Sequence, residues 1–329
     1  MTGSTPSVSV IIVTLNRPDC VRQCLLHLQN QTVDPTQILV VDASQDARTR
    51  EVVAQFSNVV YVQNPLGYGH MTHGRNLGLL AASGDVLAFL DDDAYAHPDW
   101  LEQLVKPYAD PQVGAVGGRA LRGTPEEAIK GADDIGTFKP YGFLGGNFGA
   151  NSPRDLDVFH LPGCNMSFRR EVLAELGGLR DDYTGTEVRE ETDACFRVGK
   201  LGWRVVWTPR AVVDHVAAPQ AKGKRLDWRY HYFSRRNHIA FLGRNFGLGS
   251  VFMRRYFFRT LRGAIKRFRE RPRAAPVYLL IEIAGFCAGL SAAVVLIRRD
   301  GGDLRRRDAM GQQLRAHLGE KSPKEAAPA

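Results

Sequence analysis

The sequence is poor in cysteine, and its five, Cys20, Cys24, Cys164, Cys195 and Cys287, form no CxxC pair and no Cys/His cluster. That excludes a disulfide scaffold and a zinc site of the usual spacing, and it points to free thiols in a reducing compartment. No basic n-region precedes the short apolar run of MTGSTPSVSVIIVTLN, so this start does not read as a secretory signal. No internal repeat is present. With 44% hydrophobic and 24% charged residues, the 329-residue chain also lacks the bias of a disordered, collagen-like or coiled-coil protein. What remains is a globular chain long enough for one large domain or two modest ones.

Acids are scarce in one place. From Lys222 to Arg273, 16 Lys/Arg face only Asp227 and Glu270, a local balance of +14 that leaves −6 for the rest of a +8 chain. A mildly acidic body joined to so basic a segment implies an anionic partner, either nucleic acid or phospholipid headgroups.

The first ninety residues alternate between two periodicities. Val8–Thr14, Gln37–Asp42, Asn58–Gln63 and Asp85–Leu90 are short runs rich in β-branched residues, as buried strands are. Helical patterns separate them, from Pro18 to Leu28, Thr49 to Phe56 and about His70 to Ala82. Such alternation predicts a parallel α/β sheet with right-handed crossovers. Polar clusters follow three of the strands: Thr14-Leu-Asn-Arg17, Asp42-Ala-Ser-Gln-Asp46 and Asp91-Asp-Asp93. Ligands of open α/β sheets bind outside the strands' carboxyl ends. The Gly-rich stretch from Gly117 to Asp157 reads as mobile loop beside a site. A mixed α/β stretch runs from Val158 to His215, helices follow beyond Asp227, and the last dozen residues look frayed.

Three adjacent carboxylates at a strand end repel one another unless a cation or donor neutralises them. A hard divalent ion, Mg²⁺ or Mn²⁺, shared with substrate phosphates would do so; a solvated acidic turn before Pro98 is the structural alternative. Together with this turn, Val10-Ile-Ile-Val-Thr-Leu-Asn-Arg17, Val40-Val-Asp42, Gly74-Arg-Asn-Leu-Gly78, Pro162-Gly-Cys-Asn-Met-Ser-Phe-Arg-Arg170 and Arg189-Glu-Glu-Thr-Asp193 with Arg197 stand in the order and spacing of family 2 glycosyltransferases. Over roughly residues 7 to 245 the chain resembles these inverting nucleotide-sugar enzymes, in their bacterial type. The resemblance implies a GT-A fold: a Rossmann-like, nucleotide-binding mixed sheet flanked by helices.

The resemblance also assigns roles. Thr14, Asn16 and Arg17 would hold the nucleotide and Asp42 would accept from a base N–H, with turn formation the alternative for Thr14 and Asn16. Arg75 would lie near the nucleotide and its acidic partners; otherwise it is a surface helix cation. Asp91 would meet the ribose and Asp93 the metal, with Asp92 among the nucleotide-binding residues. His215 stands where some relatives supply a further metal ligand, or is merely structural. Gly163 and Asn165 would lie beneath the donor sugar, and Asp193 joins them on the donor-sugar and acceptor side. The family's general base is the second acid of a Glu-Asp pair, here Glu190-Glu191. The departure leaves open which glutamate reaches the acceptor, and the expectation falls on Glu191; both acids would also suit a helix N-terminus. Arg169 and Arg170 read equally as surface charges, and Trp203 and Trp207 as core or as stacking platforms.

The expected division is a glycosyltransferase domain over 1–218, with a nucleotide half at 7–118 and an acceptor half at 119–218, followed by a basic helical region at 219–329. Within the latter, 277–297 has Glu282 as its single charge and would make a helix about one hydrocarbon core long. It spans a membrane, lies on one, or packs on the protein. Its stripe of Gly285 and Gly289 would permit helix pairing and a homo-oligomer. Basic-aromatic helices beside an apolar one favour the cytoplasmic face of a membrane over nucleic acid. The sequence thus predicts a metal-assisted transferase using a UDP-, dTDP- or GDP-linked sugar and a glycan or lipid-linked acceptor. The alternatives are an inactive sugar-binding scaffold of the same fold and a nucleic-acid-binding protein.

Overall fold

Seven consecutive buried residues make Val8–Thr14 (β1) the centre of a sheet, and the computed structural model pairs it in parallel with Gln37–Asp42 (β2) and Val86–Asp91 (β4). Val59–Gln63 (β3) adds in parallel to β2. Helices Pro18–Gln29 (α1), Arg48–Val53 (α2) and Met71–Ala81 (α3) are the crossovers. Each expected strand and helix of this half is present, with ends shifted by a few residues. The structure describes residues 5–123, 131–216, 227–270 and 275–319, with 267–270 and 275 described by backbone alone.

After β4 the chain forms a short strand Ala94–Ala96 (β5), helix Trp100–Val105 (α4) and strand Val113–Leu121 (β6). Leu156–Asp157 (β7), Asn165–Arg169 (β8), Arg170–Leu176 (α5), Glu190–Lys200 (α6) and Arg204–His215 (β9) complete the domain. The sheet order is β3-β2-β1-β4-β8-β6-β9-β5, and β8 runs antiparallel to both β4 and β6, so the sheet is mixed. Gly117–Leu121, expected as loop, is instead strand β6. Gly118 has a physical reason to be glycine there: a Cβ would fall 1.9 Å from the Ala211 carbonyl oxygen, where the β6–β9 register shifts.

Two apolar layers cover the sheet, one under α1, α2 and α4 and one under α3, α5 and α6. Trp207 lies in the second layer, and Arg169 and Arg170 bind backbone carbonyls around β4, β6 and α4, so none of the three is a surface or stacking group.

The C-terminal part is helical as expected: Trp228–Phe246 (α7), Val251–Glu270 (α8), Ala275–Asp300 (α9) and Ala309–Gly319 (α10). The boundary set at residue 218, the basic run Lys222–Arg225, part of the Gly-rich loop and most of the tail fall outside the described residues. Phe241 and Leu242 of α7 share a core cluster with Tyr183 and with Phe196 of α6, while Leu314 and Leu318 of α10 pack beneath α3 and α5. The helical region is therefore built into the domain's core. The glycine stripe of α9 is occupied within the chain: Gly285 sits against Arg235 and the Tyr232 carbonyl, and Gly289 against Ile239. It is not available for pairing a second copy.

Candidate active site

The carboxyl ends of β1, β2 and β4 open toward a cavity of about 360 Å³ lined by Thr14, Arg17, Tyr68, Asp91, Asp93 and His215. A second cavity of about 480 Å³ is lined by Arg75, Arg122, His160, Gly163 and Glu191. Asp91, Glu187, His215 and Tyr230 line both, so the two adjoin at this wall.

The three aspartates are not a solvated turn. Asp92 is fully buried, where Thr14 Oγ1 donates to its Oδ2 at 2.6 Å and Arg17 Nε at 3.0 Å. Burial pushes the Asp92 carboxyl up to about 7, against the pull of Arg17 and of the Thr14 hydroxyl. Arg17 also donates to Asp93 Oδ2 at 3.2 Å, so one guanidinium braces two neighbouring acids. Asp92 faces inward, and the alternating direction of a tight turn leaves Asp91 and Asp93 to the cavity.

Strand pairing brings the third donor in. His215 ends β9 and is paired with Ala94 of β5, which places its Nε2 3.3 Å from Asp93 Oδ1. Asp91, Asp93 and His215 each offer one ligand atom, all within 4.8 Å of one another. Burial lowers the basicity of His215, but hydrogen bonds to Asp93 and to the Cys164 thiol outweigh it and lift the imidazole to about 10. Two carboxylate oxygens and one imidazole nitrogen, once a bound cation has displaced its proton, form a donor set that fits Mn²⁺ or Mg²⁺ and leaves positions open for a ligand's oxygens.

Arg75 is the hub of the second wall. Gly74 and Gly78 let α3 lie close on β1 and β2, which buries Arg75 against the sheet. Its Nη2 donates to Asp91 Oδ1 at 3.0 Å and to the Gly163 carbonyl at 2.9 Å, and its Nη1 binds Glu190. Glu190 is thereby committed to a buried ion pair. Glu191, one residue on, is half-buried on the second cavity, where its carboxylate accepts from the Arg189 amide and the Thr192 hydroxyl, both at 3.2 Å. A Cβ at Gly163 would lie 3.6 Å from the Arg75 guanidinium and 3.9 Å from Glu191 Cβ, so this small residue keeps the floor between them open.

Glu187 has no counterpart among the residues chosen from sequence. It adopts φ +53° and caps the start of α3, accepting from the Thr72 amide at 2.6 Å and hydroxyl at 2.8 Å. Burial raises its carboxyl to about 7 despite the Thr72 hydrogen bonds. Arg189, at φ +93°, turns the chain into α6. The nearest sequence signal was the glycine at 185, which marks a turn before the helix but not the acid beyond it.

Five residues expected at the site lie off the cavity walls, the first being Asp92, which is buried against Thr14 and Arg17. Asp42 is fully buried, with Oδ1 accepting from Ser44 and Oδ2 from the Tyr61 hydroxyl at 3.0 Å. Asn16, at φ +56°, is a turn residue whose amide donates to Ser44 Oγ. Asn165 is a bracket of the sheet: it accepts from Trp100 Nε1 and donates to the carbonyls of Arg119 and Ala211. Asp193, expected on the donor-sugar and acceptor side, is buried, and Arg197 Nε, Arg180, Tyr183 and Asn245 all donate to its carboxylate.

Residues 9–177 match the family described as Glycosyl transferase family 2. The chain is 30% identical over 230 residues to a glucosyl-dolichyl phosphate glucuronosyltransferase of Haloferax volcanii, covering 63% of this chain and 68% of that one. It covers 31% of another relative, the putative glycosyltransferase EpsH of Bacillus subtilis, at 37% identity over 32% of its own length. Its fold is similar to that of the mannosyltransferase PcManGT from Pyrobaculum calidifontis, solved with GDP-Man and Mn²⁺. The TM-score is 0.54 at 20% identity, over 98% of this chain and 89% of that one. The likeness identifies the fold as GT-A.

Proposed function

The chain belongs to glycosyl transferase family 2, and on that premise we propose that it is a metal-assisted inverting enzyme, with Asp91, Asp93 and His215 as metal site and Glu191 as general base. It transfers a sugar from a nucleotide donor. The observation that carries the finer reading is a ligand-competent trio in the first cavity, two of whose members, Asp91 and His215, also line the second, where the half-buried Glu191 carboxylate stands.

In this reading the first cavity receives the nucleoside, with Thr14 and Arg17 beside it and the diphosphate against Asp91 and Asp93. When bound, the divalent ion neutralises the charge of the departing diphosphate. The chain's own residues do the rest. Arg17 holds Asp93 in place through the Asp92 brace, and Arg75 fixes Asp91 and the Gly163 floor, so the ligand oxygens are pre-set before substrate arrives. An acceptor hydroxyl in the second cavity gives its proton to Glu191 as its oxygen attacks the sugar carbon from the face opposite the diphosphate, which inverts the configuration. Glu190 is held by Arg75, which supports Glu191 as the one of the pair able to take that proton.

The donor would be a UDP-, dTDP- or GDP-linked sugar and the acceptor a glycan or lipid-linked hydroxyl at the cytoplasmic face of a membrane. Asp93→Ala should weaken nucleoside diphosphate binding at least tenfold in the presence of Mn²⁺ while leaving the weaker metal-free binding as it is. Calorimetric titration with and without Mn²⁺ checks this. Equal affinities for the variant and the natural chain would remove Asp93 from the metal site.

A further inference from the structure

Helices α8 and α9 take no part in the site, yet nine of the eighteen exposed large hydrophobic side chains among the described residues stand on them. By composition α9 is able to cross a bilayer: Pro276–Asp300 has a mean hydropathy of 2.3 over its apolar window. Its packing opposes that. One face of α9 is seated on α7 through Gly285 and Gly289, and Glu282 is ion-paired with Arg235 of α7. Helix α7 carries Arg229, Arg235, Arg236 and Arg244, and it is fixed to the catalytic domain through Phe241 and Leu242. A spanning α9 would pull these arginines into hydrocarbon, at a cost of several kcal/mol or abandonment of the packed core.

The outward stripe of α9 is different. Val277, Leu280, Ile283 and Val295 recur at helical spacing and are exposed. On α8 the exposed stripe Phe258, Leu261 and Ile265 runs beside a basic stripe of Arg255, Arg259, Arg262 and Lys266, with no acid from Val251 to Lys266. The rings of Phe257 and Phe286 meet at 5.2 Å and join the two helices. Between them and α7 lies a cleft of about 250 Å³ containing Arg235, Arg259, Thr260 and Tyr278. Glu282 offsets Arg235. The Arg259 guanidinium stacks at 4.1 Å over the Tyr141 ring and has no carboxylate partner among the described residues.

We propose that α8 and α9 form an in-plane docking face for an anionic phospholipid membrane, with Arg259 in the cleft receiving a headgroup phosphate. Paired apolar and basic stripes are what an interfacial helix presents to such a surface. The inference deepens the membrane part of the reading above, and transfer of sugar to a soluble acceptor is measured separately, so either can fail alone. The full chain should co-sediment with phosphatidylcholine vesicles containing phosphatidylglycerol and hardly at all with phosphatidylcholine alone. Arg259→Gln should lower partitioning about fivefold, since one cation near an anionic surface contributes on that scale. Phe258→Glu, an exposed substitution that spares the core, should abolish binding. A fluorophore on Cys287, an exposed cysteine midway along α9, should report headgroup depth. Equal binding to neutral vesicles, salt-sensitive DNA binding without vesicle binding, a dimer in solution that masks Phe258, or a Cys287 label at the bilayer midplane would each overturn the proposal.

Discussion

Glu191→Gln is expected to lower glycosyl transfer by a factor of about 10²–10⁴, the usual contribution of a positioned general base, and to leave nucleotide binding and thermal stability unchanged. The split follows from geometry. Glu191 lines the second cavity and, among the described residues, accepts two hydrogen bonds, from the Arg189 amide at Oε2 and the Thr192 hydroxyl at Oε1; a glutamine oxygen keeps the first, and the Thr192 hydroxyl can turn to accept from the glutamine NH2. It braces neither Asp91 nor Arg75. Steady-state kinetics beside a nucleotide titration decide the matter: turnover within a few-fold of the natural chain would mean that another group takes the proton.

The second large effect concerns stability. Asp193 is fully buried two residues after Glu191 on α6, at the centre of a network that also includes Asp182 and Asp300. Burial by itself would raise its carboxyl, but Arg180, Arg197 and Arg244 outweigh burial and hold it well below the usual carboxylate range. Asp193→Asn removes the negative charge and leaves Arg197, itself fully buried, without its ion-pair partner. Breaking one side of such a buried pair costs about 3–5 kcal/mol, so thermal unfolding of a chain this long should move down by roughly 4–7 °C. A melting temperature that barely shifts would show that the neighbouring acids compensate.

Asp193 also shows what the sequence could and could not disclose. The strands β1 to β4, their parallel pairing and the polar clusters at three of their ends were legible, because a buried parallel strand is an uninterrupted β-branched run and its carboxyl end is marked by the polar residues that follow. The family resemblance marked Asp93 and His215 for the metal and Asp91 for the ribose; that Asp91 stands with the other two follows from the fold, since β5–β9 pairing, which brings His215 beside Asp93, has no local signature. The motif residues Asp42, Asn165 and Asp193 were expected to meet ligand, and in the structure their side chains are bonded within the scaffold. A motif records that a side chain is needed, and a buried carboxylate bound by Tyr61, or a buried amide bridging two strands, is needed as firmly as a ligand contact. The partners that decide between the two uses are distant in sequence: Asn245 lies 52 residues from Asp193, and Trp100 lies 65 from Asn165. Glu187 escaped notice for the same reason, since its partner Thr72 is 115 residues away. Likewise, hydropathy marks α9 as apolar, but only its contact with α7 shows which face is taken.

A cation held where the two cavities adjoin is central to the proposed chemistry, and anomalous diffraction at the manganese edge from crystals grown with a nucleoside diphosphate and Mn²⁺ tests for it directly. The expected result is a single strong peak within coordination distance of Asp91, Asp93 and His215, with the nucleoside in the cavity lined by Thr14 and Arg17. A nucleotide bound there with no peak, or a peak away from these three residues, would contradict it.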